Sequence, residues 1–128
     1  MKLNYDLVRS ILFKLEEMIY IDDNFRLHTV EIDAICAQFP KLNKGEILYT
    51  LIKLSEGGYI ELSSISINLM GEYIVNGMDV KQITFKGHQY IDSIRDNKIW
   101  IKIKEKAANL SFSIITAAAK KLITNAIP

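Results

Sequence analysis

Residues 43–62 constrain the chain most, because they mark a helix at both ends and deliver it directly into a strand. Asn43 is placed to accept hydrogen bonds from the first free helical amides, and Glu46, three residues on, completes a capping box. Ile47, Leu48, Leu51, Ile52 and Leu54 recur at helical spacing, and Gly57-Gly58 supplies the left-handed exit. Tyr59-Ile60-Glu61-Leu62 then alternates in the manner of a half-buried strand.

Upstream, Asn4 caps a predicted amphipathic helix whose apolar face is Leu7, Val8, Ile11, Leu12, Leu15, Met18 and Ile19. Tyr20 to Asn24 forms a polar turn, and Phe25-Arg26-Leu27-His28 suits a short strand. A second helix is predicted over roughly Val30 to Phe39, with Ile32, Ile35, Cys36 and Phe39 facing inward. Pro40 ends it, because the residue before a proline is pushed out of helical geometry. The second and third helices so placed make a helix-turn-helix pair.

Downstream the period changes to two. Ile60, Leu62, Ile65, Ile67 and Leu69 alternate with polar residues, Tyr73-Ile74-Val75 follow Gly71, and Asn76-Gly77 marks a second turn. The expected element is a β-hairpin turning near Met70-Gly71. Ile83-Thr84 then leads into a closing helix capped by Thr84, burying Phe85, Ile91 and Ile94 and running to about Asp96. The fold class expected is α+β: a winged helix-turn-helix domain over residues 1–97, of three helices, a hairpin wing and a closing helix.

The phrase Ile83-Thr84-x-x-Gly87-x-x-Tyr90-Ile91 is similar to the strand-to-helix closure of many winged-helix regulators. More broadly the chain resembles a phage- and prophage-associated winged-helix family of unknown function. The matching residues are Lys2-Leu3-Asn4, Asp6, Arg9, Ile11-Leu12, Tyr49, Leu54, Gly58-Tyr59-Ile60, Gly87-His88, Ile94-Arg95, Trp100 and Lys104. The chain departs from that pattern at Thr50, Phe85 and Gly57, where the family often carries histidine, tryptophan and alanine. The resemblance implies a fold and a provenance, and brings no established activity.

Beyond the domain, 98–128 reads as a basic helical extension. A helix capped by Asn97 and running to Ala108 carries Lys98, Lys102, Lys104 and Lys106. Ser111 caps a last helix with Phe112, Ile115, Ala119, Leu122, Ile123 and Ala126 in one stripe, and Lys120 and Lys121 outside it. Charge is divided accordingly. Residues 1–97 hold 10 basic against 14 acidic side chains, and 98–128 hold 6 against 1.

Catalytic chemistry finds little support. There is no Gly-rich phosphate loop, no His-x-x-x-His or Cys-x-x-Cys pair and no serine in a nucleophile elbow, so no catalytic residue, cofactor or metal is expected. His28 and His88 are read as locally bonded residues, and Glu16-Glu17 and Asp22-Asp23 as solvated neighbours that point apart. The lone Cys36 is a small buried hydrophobe. The first fifteen residues are interrupted by charge, which suits neither a signal peptide nor a span, so a cytoplasmic protein is expected.

Three functions stay open. An oligomeric DNA-binding regulator would read duplex DNA with Lys41, Lys44, Tyr49, Thr50 and Lys53, and assemble through Phe112, Ile115, Ala119, Leu122 and Ile123 with the lysine tail alongside. A protein-binding adaptor or inhibitor would use the fold as scaffold and the last helix or the wing to grip a host or phage protein, which suits the mixed charge of Glu46, Lys53 and Glu56. Membrane contact through the basic tail is the least favoured, because the last stripe is rich in alanine.

Overall fold

A computed structural model describes residues 1–106 and 109–126 of the chain, and the expected run of the fifth helix to Ala108 therefore falls outside the described residues. The architecture is α+β, with six helices and two small antiparallel sheets among those residues. Two compact units divide the chain, 1–87 and 88–128. The division falls inside the fourth helix, ahead of the expected boundary at 97.

In the first unit, α1 (Tyr5–Met18) begins where Asn4 accepts hydrogen bonds from the amides of Asp6 and Leu7. It buries Leu7, Val8, Ile11, Leu12 and Leu15. β1 (Tyr20–Ile21) pairs antiparallel with β2 (Leu27–His28) in a small separate hairpin. The second helix, α2, is shorter than its periodicity predicts, Ile32–Gln38, because the preceding Val30 and Glu31 extend as β3 and pair with Val80 and Asp79. Cys36 is buried on α2, and its apolar surroundings raise the thiol pKa.

After the Pro40 turn comes α3 (Lys44–Glu56), whose cap Asn43 accepts from the amides of Gly45 and Glu46 at 2.7 and 3.3 Å. β4 (Ile60–Leu62) and β5 (Asp79–Ile83) complete a three-stranded sheet in the order β3-β5-β4, with a register shift between Glu61 and Leu62. Val80, fully buried, lies opposite both Val30 and Leu62, so β5 ties the chain's early strand to its later one.

The loop between β4 and β5 turns back where expected: the Asn68 amide donates to the Glu72 carbonyl, and Gly71 takes φ +80°. Its arms hold less regular pairing than the alternation predicts. One isolated bridge, Ile67 to Tyr73, joins them, because most of the apolar side chains on these arms face solvent and find no sheet to cover them.

The step into α4 (Phe85–Ile94) explains its sequence phrase. The Thr84 hydroxyl donates to the Gly58 carbonyl and accepts from the Gly87 amide, while the Thr84 amide donates to the Tyr59 carbonyl. Gly87 sits where a Cβ would strike that same Tyr59 carbonyl and the Ile83 side chain, so the position is reserved for glycine by contact. Phe85, expected in the core, is instead 80% exposed at the first residue of the helix, whereas Ile91 and Ile94 are buried as expected.

The second unit contains most of α4 together with α5 (Asn97–Lys106) and α6 (Phe112–Ala126). The cap of α5 is Asp96, which accepts from the amides of Lys98 and Ile99, one residue ahead of the expected Asn97. Trp100 and Ile103 on α5 are buried, as are Ile115 and Ala119 on the partner helix α6.

Candidate functional site: the outer face of the third helix and the β4–β5 loop

Helix α3 carries two apolar rows where a surface helix needs one. Ile47, Thr50, Leu51 and Leu54 form the row sunk into the core, and Ile52, at the boundary between the rows, is buried as well. Gly45, Leu48, Tyr49, Ile52, Lys53 and Glu56 form a second row that lines an open groove of about 290 Å³, closed on its other sides by Met1 and by Tyr73 of the β4–β5 loop. Five apolar side chains at 47, 48, 51, 52 and 54 are too many for a single stripe, and that surplus was the signal of a second face.

The floor of the groove is apolar and its rim is charged. Lys53 donates to Glu56 at 2.9 Å and stands 5.5 Å from the Tyr49 ring centre. The Glu56 carboxylate, first as hydrogen-bond partner and then as a nearby charge, holds the Lys53 ammonium pKa above its ordinary value. Lys41 and Lys44, at the helix start, are exposed and make no ion pair among the described residues.

The residues expected to read DNA therefore separate. Tyr49 and Lys53 meet in the groove, Lys41 and Lys44 are exposed before and at the first turn of α3 and do not line it, and Thr50 is not on the surface at all. Thr50 is 1% exposed, and its hydroxyl donates to the Glu46 carbonyl at 2.8 Å. Its place in the core row removes it from any contact with a ligand.

The loop beyond β4 supplies the other half of the surface. From Leu62 to Met78 it has no lysine or arginine, and Glu72 is its one charged residue. Leu69 is wholly exposed, Met70 is 84% exposed, and Ile65, Ile67, Tyr73 and Ile74 are each more than two-fifths exposed. The alternation of Ile65, Ile67 and Leu69 with polar residues predicts a hairpin arm and does not fix this exposure.

In the second unit the expected assembly stripe is already occupied within the chain. Ile115 and Ala119 are completely buried, and the Phe112 ring meets Tyr90 edge-on with centres 4.9 Å apart. Leu122 and Ile123 are half-buried. These five were expected to bind another copy or a partner; α5 and Tyr90 hold the centre of the stripe instead.

The family model described as "Hypothetical protein (DUF2513)" matches residues 2–113. The chain belongs to the DUF2513 family. The DUF2513 match spans the whole first unit and continues through α5 to the opening of α6, so it includes the groove, the apolar loop and Trp100. A protein of Haemophilus influenzae (strain ATCC 51907 / DSM 11121 / KW20 / Rd), described as "Uncharacterized protein", is 28% identical over 129 residues, covering 97% of each chain. No solved structure matches. Among the described residues no helix is long and apolar enough to cross a membrane.

Proposed function

We propose that the first unit is a non-enzymatic winged-helix module of phage type, acting in the cytoplasm, that grips a protein partner with α3 and the wing. The order α1, β3, α2, α3, β4, wing, β5 supports the winged-helix reading, with α2 and α3 as the helix-turn-helix pair. The observation that carries the binding role is the apolar wing beside an apolar groove. A wing that follows a phosphate backbone needs cations, and this one has none, whereas exposed Leu69 and Met70 suit a desolvated protein contact.

The groove also has a polarity. Gly45 lines it at the positive end of the α3 dipole, and Glu56 lines it at the other end. The complementary ligand is a protein segment with two or three apolar side chains and an acidic residue at the end that meets the start of α3. Affinity panning of displayed random peptides against the full chain tests this. The expected peptides are apolar with an acidic flank, and Tyr49→Ala or Tyr73→Ala weakens them at least tenfold, about 1.4 kcal/mol. No enrichment, or peptides indifferent to both substitutions, overturns the reading.

Duplex contact through α3 is the competing reading, favoured by the exposure of Lys41 and Lys44 at a helix start. It predicts that Lys41→Glu with Lys44→Glu abolishes duplex binding by an intact fold.

A further inference from the structure

We infer that the paired helices α5 and α6 present a phosphate-binding face, made by Lys98, Lys102, Lys106 and Lys121, that holds a nucleic-acid backbone independently of sequence. Lys98, Lys102 and Lys106 recur every fourth residue of α5, so they stand in one row with about 6 Å of rise between neighbours. That row meets α6 at a defined place: Lys106 and Lys121 line the same small cavity of about 100 Å³, over Ile103, Ala118 and Leu122. All four lysines are exposed, and none makes an ion pair among the described residues.

The remaining lysines of this unit lie off the face. Lys104 stands 5.9 Å from the Trp100 ring, two residues round the helix from Lys102. Lys120 adjoins Lys121 in sequence but is turned about 100° from it around α6, away from the cavity. Two acids border the row: Glu105, three residues beyond Lys102, and Asp96, whose carboxylate accepts from the Lys98 amide at its start. Residues 88–128 hold 7 basic against 3 acidic side chains, so the row sits in a positive field rather than a balanced one.

Three classes of anion meet such a face, and the surroundings choose among them. A membrane requires an apolar stripe to insert, and the stripe of α6 is buried at Ile115 and Ala119. A protein anchors through a pocket that takes a bulky side chain, and the 100 Å³ cavity is well below the roughly 300 Å³ of a small ligand site. A phosphate backbone asks only for a row of cations, whose neutralisation releases counterions.

The test measures binding of the full chain to a mixed-sequence duplex by fluorescence anisotropy between about 50 and 200 mM salt. Two charge-matched double variants are compared, Lys106→Gln/Lys121→Gln on the face and Lys104→Gln/Lys120→Gln off it. Each lost phosphate contact removes about 0.9 from the slope of log affinity against log salt, so the first pair loses nearly two units and the second very little. Lys106→Arg/Lys121→Arg keeps the slope, and Glu105→Gln strengthens binding.

Equal losses from both pairs would reduce the effect to net charge and overturn the face. Absence of duplex binding at the lowest salt, or capture by phosphatidylserine vesicles and not by duplex, overturns the nucleic-acid assignment. Circular dichroism of each variant reports the helices, and a Gln pair that lost them would be replaced in the comparison by Lys98→Gln/Lys102→Gln on the same row. Peptide binding in the groove of the first unit is measured separately, so either reading can fail alone.

Discussion

One methyl group separates Gly87 from the residue that helix propensity would favour. Alanine gains up to about 1 kcal/mol over glycine in an open helix, but here the added carbon strikes backbone, which cannot swing aside as a side chain does. Gly87→Ala is expected to destabilise the protein by about 1 to 3 kcal/mol, read as a lower midpoint in urea at an unchanged slope. Residue-scale features of this kind were legible where their cause is local. Asn4, Asn43, Thr84 and Ser111 all cap the helices that their neighbours announce, because a cap is decided within three residues. Thr50 was misread because its face depends on which of two apolar rows on α3 meets the core, and α1 and α2, not α3, decide that.

The β1–β2 hairpin shows what an element adds to its residues. One oxygen of Asp22 accepts from the amides of Asn24 and Arg26 at 2.9 and 3.0 Å, and the other lies 2.8 Å from His28 Nε2. His28 in turn stacks flat on Tyr20, its partner across the strands, at 4.1 Å. The bond to His28, followed by that from the Arg26 amide, lowers the Asp22 pKa from its ordinary carboxylate value. Because the folded value is depressed, this carboxylate stabilises the fold fully above about pH 4 and ceases to do so as pH falls through the folded value. Thermal midpoints measured from about pH 6 to pH 2 are therefore expected to lie below wild type for Asp22→Asn at the upper end and to converge with it at the lower. Elements were legible in proportion to their length. α1 and α3 announce themselves through repeated spacing, whereas β3 exists only because Val80, fifty residues away, offers it a partner.

At the scale of the molecule, the two units differ in what they leave uncovered: an apolar β4–β5 loop and groove on the first, a lysine row on the second. The helical stripe of α6 was visible in the sequence, but its occupant was not, since periodicity gives a face and never names what covers it. Ile115→Asp decides between an inward and an outward role. It places an unpaired carboxylate where no side-chain surface is exposed, and is expected to cost at least about 3 kcal/mol, seen as loss of the α5 and α6 helical signal on mild heating. A stripe that served only to join separate chains would keep its helicity and change only the mass in solution.

The tip of the β4–β5 loop has one more property, which belongs to sulfur. Met70 is 84% exposed while Met78, at the base of the same loop, is 1% exposed. Mild peroxide reaches the first thioether and spares the second, turning a flexible apolar tip into a polar, chiral sulfoxide without disturbing the sheet beneath. The contact proposed for that tip is thereby open to reversible chemical silencing, with a methionine sulfoxide reductase to restore it.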